Sequence, residues 1–113
     1  MDKQNQTHLD RTIRESVPTA LDGVGMHDVA AKFRGLAEIT NPYQIEMARG
    51  MLGAVLPGLK QAAQGLPEII KAGSPEVVKQ ARTYQSGLTT AKAIIEAARV
   101  ATMQAVHGGQ ILN

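Results

Sequence analysis

The chain has 113 residues, no cysteine, only three aromatic residues and a formal net charge of +2. This length allows a single core, and the absence of cysteine excludes disulfides and thiolate metal sites. The longest apolar run, residues 51–59, is far shorter than the roughly 20 residues of a bilayer span. The sequence is therefore expected to form one helical domain over residues 7–113, after a disordered tail over residues 1–6.

The first ten residues are mostly polar, with no apolar h-region, so no Sec-type signal peptide is predicted. The localisations that fit are cytoplasmic, virion-associated, or exported by a signal-independent route. Composition alone does not choose among them.

The first predicted helix covers residues 7–17. Leu9, Ile13 and Val17 recur every four residues, which places them on one face of a helix. Pro18 is expected to end this helix, because the residue before a proline is biased away from helical geometry.

The second predicted helix covers residues 26–39, with Phe33 on its apolar face. Asn41 and Pro42 then mark a boundary. Asparagine is a favoured N-cap, and proline fits the first helical position. The next helix is therefore expected to begin at Pro42.

Two long apolar stripes dominate the rest of the chain. In each, apolar or small residues recur in alternating steps of three and four, the 3.5-residue repeat of a coiled-coil seam. Folding back at Gly73 brings the stripes together, mostly large against small. This pattern predicts an all-α fold built on a long antiparallel αα-hairpin, with arms over residues 42–72 and 75–106. We expect a kink at Pro57 and a break near Pro67, with the stripe staying in phase. The predicted seam contains Ile45, Leu52, Val55, Leu59, Leu66, Val77, Tyr84, Leu88 and Ile95.

The layout of a proline-led second helix after a short turn is similar to that of the small hairpin subunits of type III secretion needles. The similarity covers residues 42–113 at most and involves no specific motif. The first forty residues depart from it. The resemblance implies a structural subunit that assembles.

No catalytic, metal or cofactor site is predicted. His8, His27 and His107 lie far apart and lack the spacing of metal ligands. The serines have no nearby base, and the glycines do not form a phosphate-binding loop after a strand. A non-enzymatic protein is expected.

The second arm is apolar on more sides than one antiparallel neighbour can cover. Either the N-terminal helices or other subunits cover the surplus, and the alanine-rich core favours association. We expect a self-associating structural protein, such as a small virion or secretion-apparatus subunit, that forms a homo-oligomer or larger assembly. The alternative is a helical binding module, a regulator or inhibitor that docks a partner through its Met47/Met51 face. The candidate partner surface contains Met47, Met51, Ile94, Val100 and Met103.

A basic strip is the remaining candidate surface. Residues 41–113 carry four acids and seven bases, which allows weak association with nucleic acid as a further alternative. No aromatic residues interleave with the bases for stacking, so a solvated back of the hairpin is the favoured interpretation. The candidate strip contains Arg49, Lys60, Lys71, Lys79 and Arg82.

Overall fold

The computed structural model describes residues 3–111, with side chains as far as Val106, and every regular element in that range is helical. The all-α prediction is therefore confirmed. The molecule is elongated, measuring 58 × 25 × 20 Å. Its α-helices are α1 (Lys3–Arg11), α2 (Val17–Gly23), α3 (His27–Arg34), α4 (Pro42–Ala63), α5 (Leu66–Ala72) and α6 (Pro75–Ile111).

The hairpin consists of α4 and α5 packed along α6. Asn41 caps α4 as predicted, because its side chain accepts a hydrogen bond of 2.9 Å from the backbone N–H of Gln44. The Gln44 side chain reaches back and accepts the backbone N–H of Thr40 at 2.7 Å. The first bond satisfies an amide that the helix start would leave free, and the second holds the residue before the cap against the first turn.

The first arm breaks where a break was expected. Helix α4 continues through Pro57 and ends at Ala63, and α5 begins one turn later with Pro67 in its first turn. Helix α6 runs on to Ile111, past the predicted end of the second arm.

The stripe does not keep its phase through this break. On α5, Leu66 is buried, but Ile69 is exposed and Ile70 packs against the core instead. On α6, Val77 and Tyr84 are exposed, although the heptad pattern places them in the seam. The restart of α5 rotates its inward face, and a straight helix also drifts by about 20° per heptad from a 3.5-residue repeat.

The N-terminal region is longer and more regular than predicted. Lys3 already begins α1, so residues 3–6 are helical instead of a tail, while residues 1 and 2 lie outside the described range. A π-helical turn over Thr12–Ser16 joins α1 to α2. We call this continuous helical segment over residues 3–23 the rod. Pro18 lies inside the rod and is buried, so it does not end the helix.

The wide turn explains why the rod survives a proline. The backbone N–H of Val17 bonds the carbonyl of Thr12, five residues earlier. Proline has no N–H to give and its ring clashes with the carbonyl four residues before it in an α-helix. A π-turn shifts that ladder by one residue, which accommodates the ring.

Helix α3 ends at Arg34, five residues earlier than predicted, and the chain then runs without regular structure to residue 40. Glycine at position 35 weakens a helix by about 1 kcal/mol relative to alanine. The residues beyond it gain other partners. The backbone N–H of Ile39 donates to the Asp10 carboxylate at 2.8 Å, and its carbonyl accepts from the Gln6 side chain at 3.2 Å.

The N-terminal helices pack along one side of the hairpin. Leu9, Ile13, Val17 and Leu21 recur every four residues along α1 and α2, and all four are buried in the same core as the two arms. This spacing gives the rod one continuous apolar face. The rod thus covers a flank of the hairpin that the arms cannot cover for each other.

Candidate interaction surfaces

The hairpin has a covered side and an uncovered side. On the covered side the loop after α2 reaches both arms: Met26 lies against Gly58, and Val24 lies against Gly87. A methyl group added at Gly87 would lie 3.1 Å from Val24, so the two glycines give the loop room to approach.

The uncovered side is marked by Arg99. Its Nε lies 3.6 Å from where a Cβ on Gly53 would sit, so the side chain of Arg99 extends from α6 across to α4. Each helical residue advances about 100° around the axis. Arg99 and Gly53 therefore both point to the side opposite Gly58 and Gly87.

Lys92, Glu96, Arg99 and Met103 form a stripe on the uncovered side of α6. Their steps of four, three and four residues keep them within a sector about 60° wide. Lys92, Glu96 and Met103 are exposed, and Arg99 is partly buried. We call this set the α6 stripe. Its 4-3-4 spacing is visible in the sequence, but apolar periodicity does not identify it because three of its members are polar.

Arg99 has no ion-pair partner within the described part of the chain, and its buried Nε has no hydrogen-bond partner there. Arg49, on the other arm, does have a partner, since its guanidinium bonds the Glu46 carboxylate at 2.8 Å. A partly buried guanidinium without a carboxylate has lost water without gaining a counter-charge, which is unfavourable.

The open end of the hairpin is the end where α4 begins and the later turns of α6 lie. Four large apolar side chains are exposed there: Tyr43 at 76%, Met47 at 44%, Val100 at 51% and Met103 at 41%. Three of them belong to the partner surface predicted from the sequence. Tyr43 does not, because its position at the start of α4 gives no periodic signal.

The other two members of the predicted partner surface have a different environment. Met51 and Ile94 are partly buried and pack against the core. Both lie on the flank that the N-terminal helices cover, so the predicted Met47/Met51 face is reduced to Met47.

The predicted basic strip is not one surface. Arg49 and Lys60 lie on the uncovered side, whereas Lys79 and Arg82 point about 140–160° away from the seam of α6, and Lys71 lies on α5. Arg49 is also paired with Glu46. Arg49, Lys60 and Lys71 are eleven residues apart, a spacing that aligns bases within one helical arm but does not relate the two arms.

A groove of about 390 Å³ lies between α1 and α6. The floor of the groove consists mainly of α6 alanines, whose small side chains let α1 lie close to α6. The rim of the groove is polar. No described side chain in it combines burial with an unsatisfied polar atom. The groove is lined by Asn5, His8, Leu9, Thr12, Ala97, Ala98, Ala101, Gln104 and Ala105.

Within residues 3–106, no three His, Cys, Asp or Glu side chains are grouped so that they could hold a metal ion. Over the helices that the structure describes, none combines the length and apolar character required to cross a membrane.

A charged cluster fastens the start of α3 to the end of α2. The Asp22 carboxylate lies 2.8 Å from Nδ1 of His27 and 2.6 Å from the guanidinium of Arg34. Hydrogen bonds from His27 first, and then from Arg34, hold the pKa of Asp22 below its ordinary value of 3.8. All three side chains are at the surface, so the cluster acts as a local clasp.

No protein-family model matches the chain, and no curated protein or solved structure shows a significant match.

Proposed function

We propose that this protein is a non-enzymatic, self-associating helical subunit of a larger structure. The observation that supports the proposal is the open end of the hairpin, where Tyr43, Met47, Val100 and Met103 are all exposed. The middle of the hairpin differs. No large apolar side chain is exposed between residues 48 and 68, or between residues 85 and 99.

The exposed side chains of the open end point in different directions. Val100 points about 160° away from the seam of α6, and Met103 about 100°. Met47 points to the same side of α4 as Met51, but it is 44% exposed, so the N-terminal helices do not bury it. One docked partner covers one direction, whereas neighbouring copies in an assembly cover several. This arrangement favours self-association over a binding module that uses one face.

Nucleic-acid association receives less support. The five predicted bases are spread over several directions, and one of them is neutralised by Glu46. Affinity for a polyanion depends on many phosphates being neutralised together. Self-association is therefore the function that we propose.

The test is the mass of the protein in solution as a function of concentration, measured by size-exclusion chromatography with light scattering. The wild type should exceed the monomer mass at high concentration. The variant Met47→Asp/Val100→Asp should shift the transition by about tenfold or more in concentration, because it forces charges into an apolar contact.

Ala93→Asp is the matched control. Ala93 is exposed on α6 in the middle of the hairpin, so the same charge there should leave association unchanged. A wild type that stays monomeric at the highest soluble concentration would contradict the proposal.

A further inference from the structure

The α6 stripe carries acidic and basic residues in an order that is complementary to the same stripe in the reverse direction. Glu96 and Arg99 are three residues apart, and Lys92 and Met103 flank them. Reversing the direction of the helix about the midpoint between Glu96 and Arg99 exchanges these two residues, and it also exchanges Lys92 with Met103. A surface of this kind matches a second copy of itself across a two-fold axis.

Arg99 does not use the carboxylate on its own helix. Glu96 lies one turn away, yet the Arg99 side chain extends over Gly53, and no ion pair joins the two residues. Arg99 is already partly buried and held between the arms. Its side chain would therefore lose little further conformational freedom when a carboxylate bound it. It would also form a charge-assisted hydrogen bond.

We propose that a second copy of this chain supplies that carboxylate. Helix α6 packs antiparallel against α6 of the second copy through the α6 stripe, and Glu96 of each copy bonds Arg99 of the other. This inference rests on the proposed self-association and gives it one specific contact.

The geometry of the contact follows from helix dimensions. Packed helices approach to about 8–10 Å between axes, which lets side chains of opposite charge meet. Met103, which is 41% exposed, would lie on the aliphatic stem of the second copy's Lys92, while the ammonium group stays in water. The N-terminal helices lie on the other flank, so they leave this approach free.

A charge swap tests the contact. Glu96→Arg and Arg99→Glu each place like charges opposite one another across the two-fold axis and should weaken dimerisation by about tenfold or more. The double variant Glu96→Arg/Arg99→Glu restores opposite charges and should return the dissociation constant to within about threefold of the wild type. Sedimentation velocity over a concentration series measures all four proteins.

A matched control lies at the other end of the same helix. Glu76 and Lys79 have the same three-residue spacing and are both exposed. Glu76→Arg, Lys79→Glu and their combination should leave dimerisation unchanged. Circular dichroism shows whether each variant is folded. Glu96→Arg keeps the test decisive if Arg99→Glu fails to fold, because Glu96 is exposed.

A distance measurement tests the direction of packing. The sequence contains no cysteine, so Gln80→Cys allows a single spin label on an exposed position of α6. An antiparallel contact centred between Glu96 and Arg99 separates the two labels by about 50 Å along the axis, at about 1.5 Å per residue. A parallel contact would bring them within about 20 Å.

The outcomes separate this inference from the proposed function. Rescue by the double variant together with the long label distance supports the inference. Self-association that is insensitive to both single variants, or a short label distance, overturns the inference and leaves the proposed function standing. A wild type that never exceeds the monomer mass overturns both.

Discussion

The two flanks of the hairpin are treated differently by the rest of the chain. On the covered side, α1 and α2 bury a continuous apolar face against the arms, and two glycines admit the loop that follows them. On the uncovered side, Arg99 lies over a third glycine and has no counter-charge among the described side chains. One flank of the hairpin is therefore covered by the chain itself. The other flank carries a partly buried positive charge that no described carboxylate pairs with.

This difference shows which part of the surplus apolar surface of the hairpin is covered by the chain itself. The sequence alone left open whether the N-terminal helices or other subunits cover the second arm. The N-terminal helices bury one flank, including part of Met51 and Ile94. The open end keeps Tyr43, Met47 and Val100 exposed. Both answers therefore apply to different surfaces, the first as an observation and the second as our proposal.

The largest effect is expected from weakening the covered side. Ile13 is fully buried in the π-helical turn, so Ile13→Ala should lower the free energy of unfolding by about 2–5 kcal/mol through lost burial and a cavity. Val100→Ala, which truncates an exposed side chain of the open end, should change it by no more than about 0.5 kcal/mol in a monomeric sample. Urea denaturation followed by circular dichroism measures both.

A small effect of Ile13→Ala would mean that the N-terminal helices contribute little to the stability of the hairpin. The covered flank would then not differ from the uncovered flank in its contribution to stability. Equal effects of the two variants would lead to the same conclusion.

A smaller effect is expected at the polar contact that closes the covered side. Asp10 accepts the backbone N–H of Ile39 at 2.8 Å and also bonds Arg14 at 3.1 Å. Asp10→Ala leaves a buried amide without an acceptor, so it should cost about 1–3 kcal/mol. Amide hydrogen exchange at Ile39 should accelerate.

Glu15→Ala is the control for Asp10→Ala. Glu15 is an exposed carboxylate on the same rod, so its loss should change stability by no more than about 0.5 kcal/mol. Protection of the Ile39 amide that persists in Asp10→Ala would show that the segment after α3 is held by its apolar side chains alone.

The sequence was most informative where one periodicity extends over many turns. The steps of three and four residues identified both arms, and Asn41 identified the start of α4 because its cap depends on local chemistry. The pattern failed at Val77 and Tyr84. The exposure of these two side chains depends on how far the first arm rotates across its break at Gly65. A heptad repeat does not encode that rotation.

The N-terminal errors have a common cause. Pro18 was interpreted as a local stop signal, and the second predicted helix was continued through Gly35 to residue 39. Pro18 is accommodated by a π-turn, and the segment after α3 is held by a long-range hydrogen bond from the backbone N–H of Ile39 to Asp10. Likewise, the surroundings of Arg99 depend on which residue of the opposite arm it reaches. Contacts between distant segments are not visible in a single sequence.

The smallest effect is expected from the surface clasp that ties α3 to the covered side. The pKa of Asp22 is lowered by hydrogen bonds from His27 and Arg34, so its charged form stabilises the folded state. This contribution should be fully present above the unfolded pKa of about 3.8 and should be lost as the pH falls through the lower folded value. The stability difference between the wild type and Asp22→Asn should therefore shrink as the pH falls below 3.8. Glu38→Gln, at an exposed carboxylate in the segment after α3, is the control, and a difference for Asp22→Asn that stays constant across this pH range would show that the clasp does not stabilise the fold through the charge of Asp22.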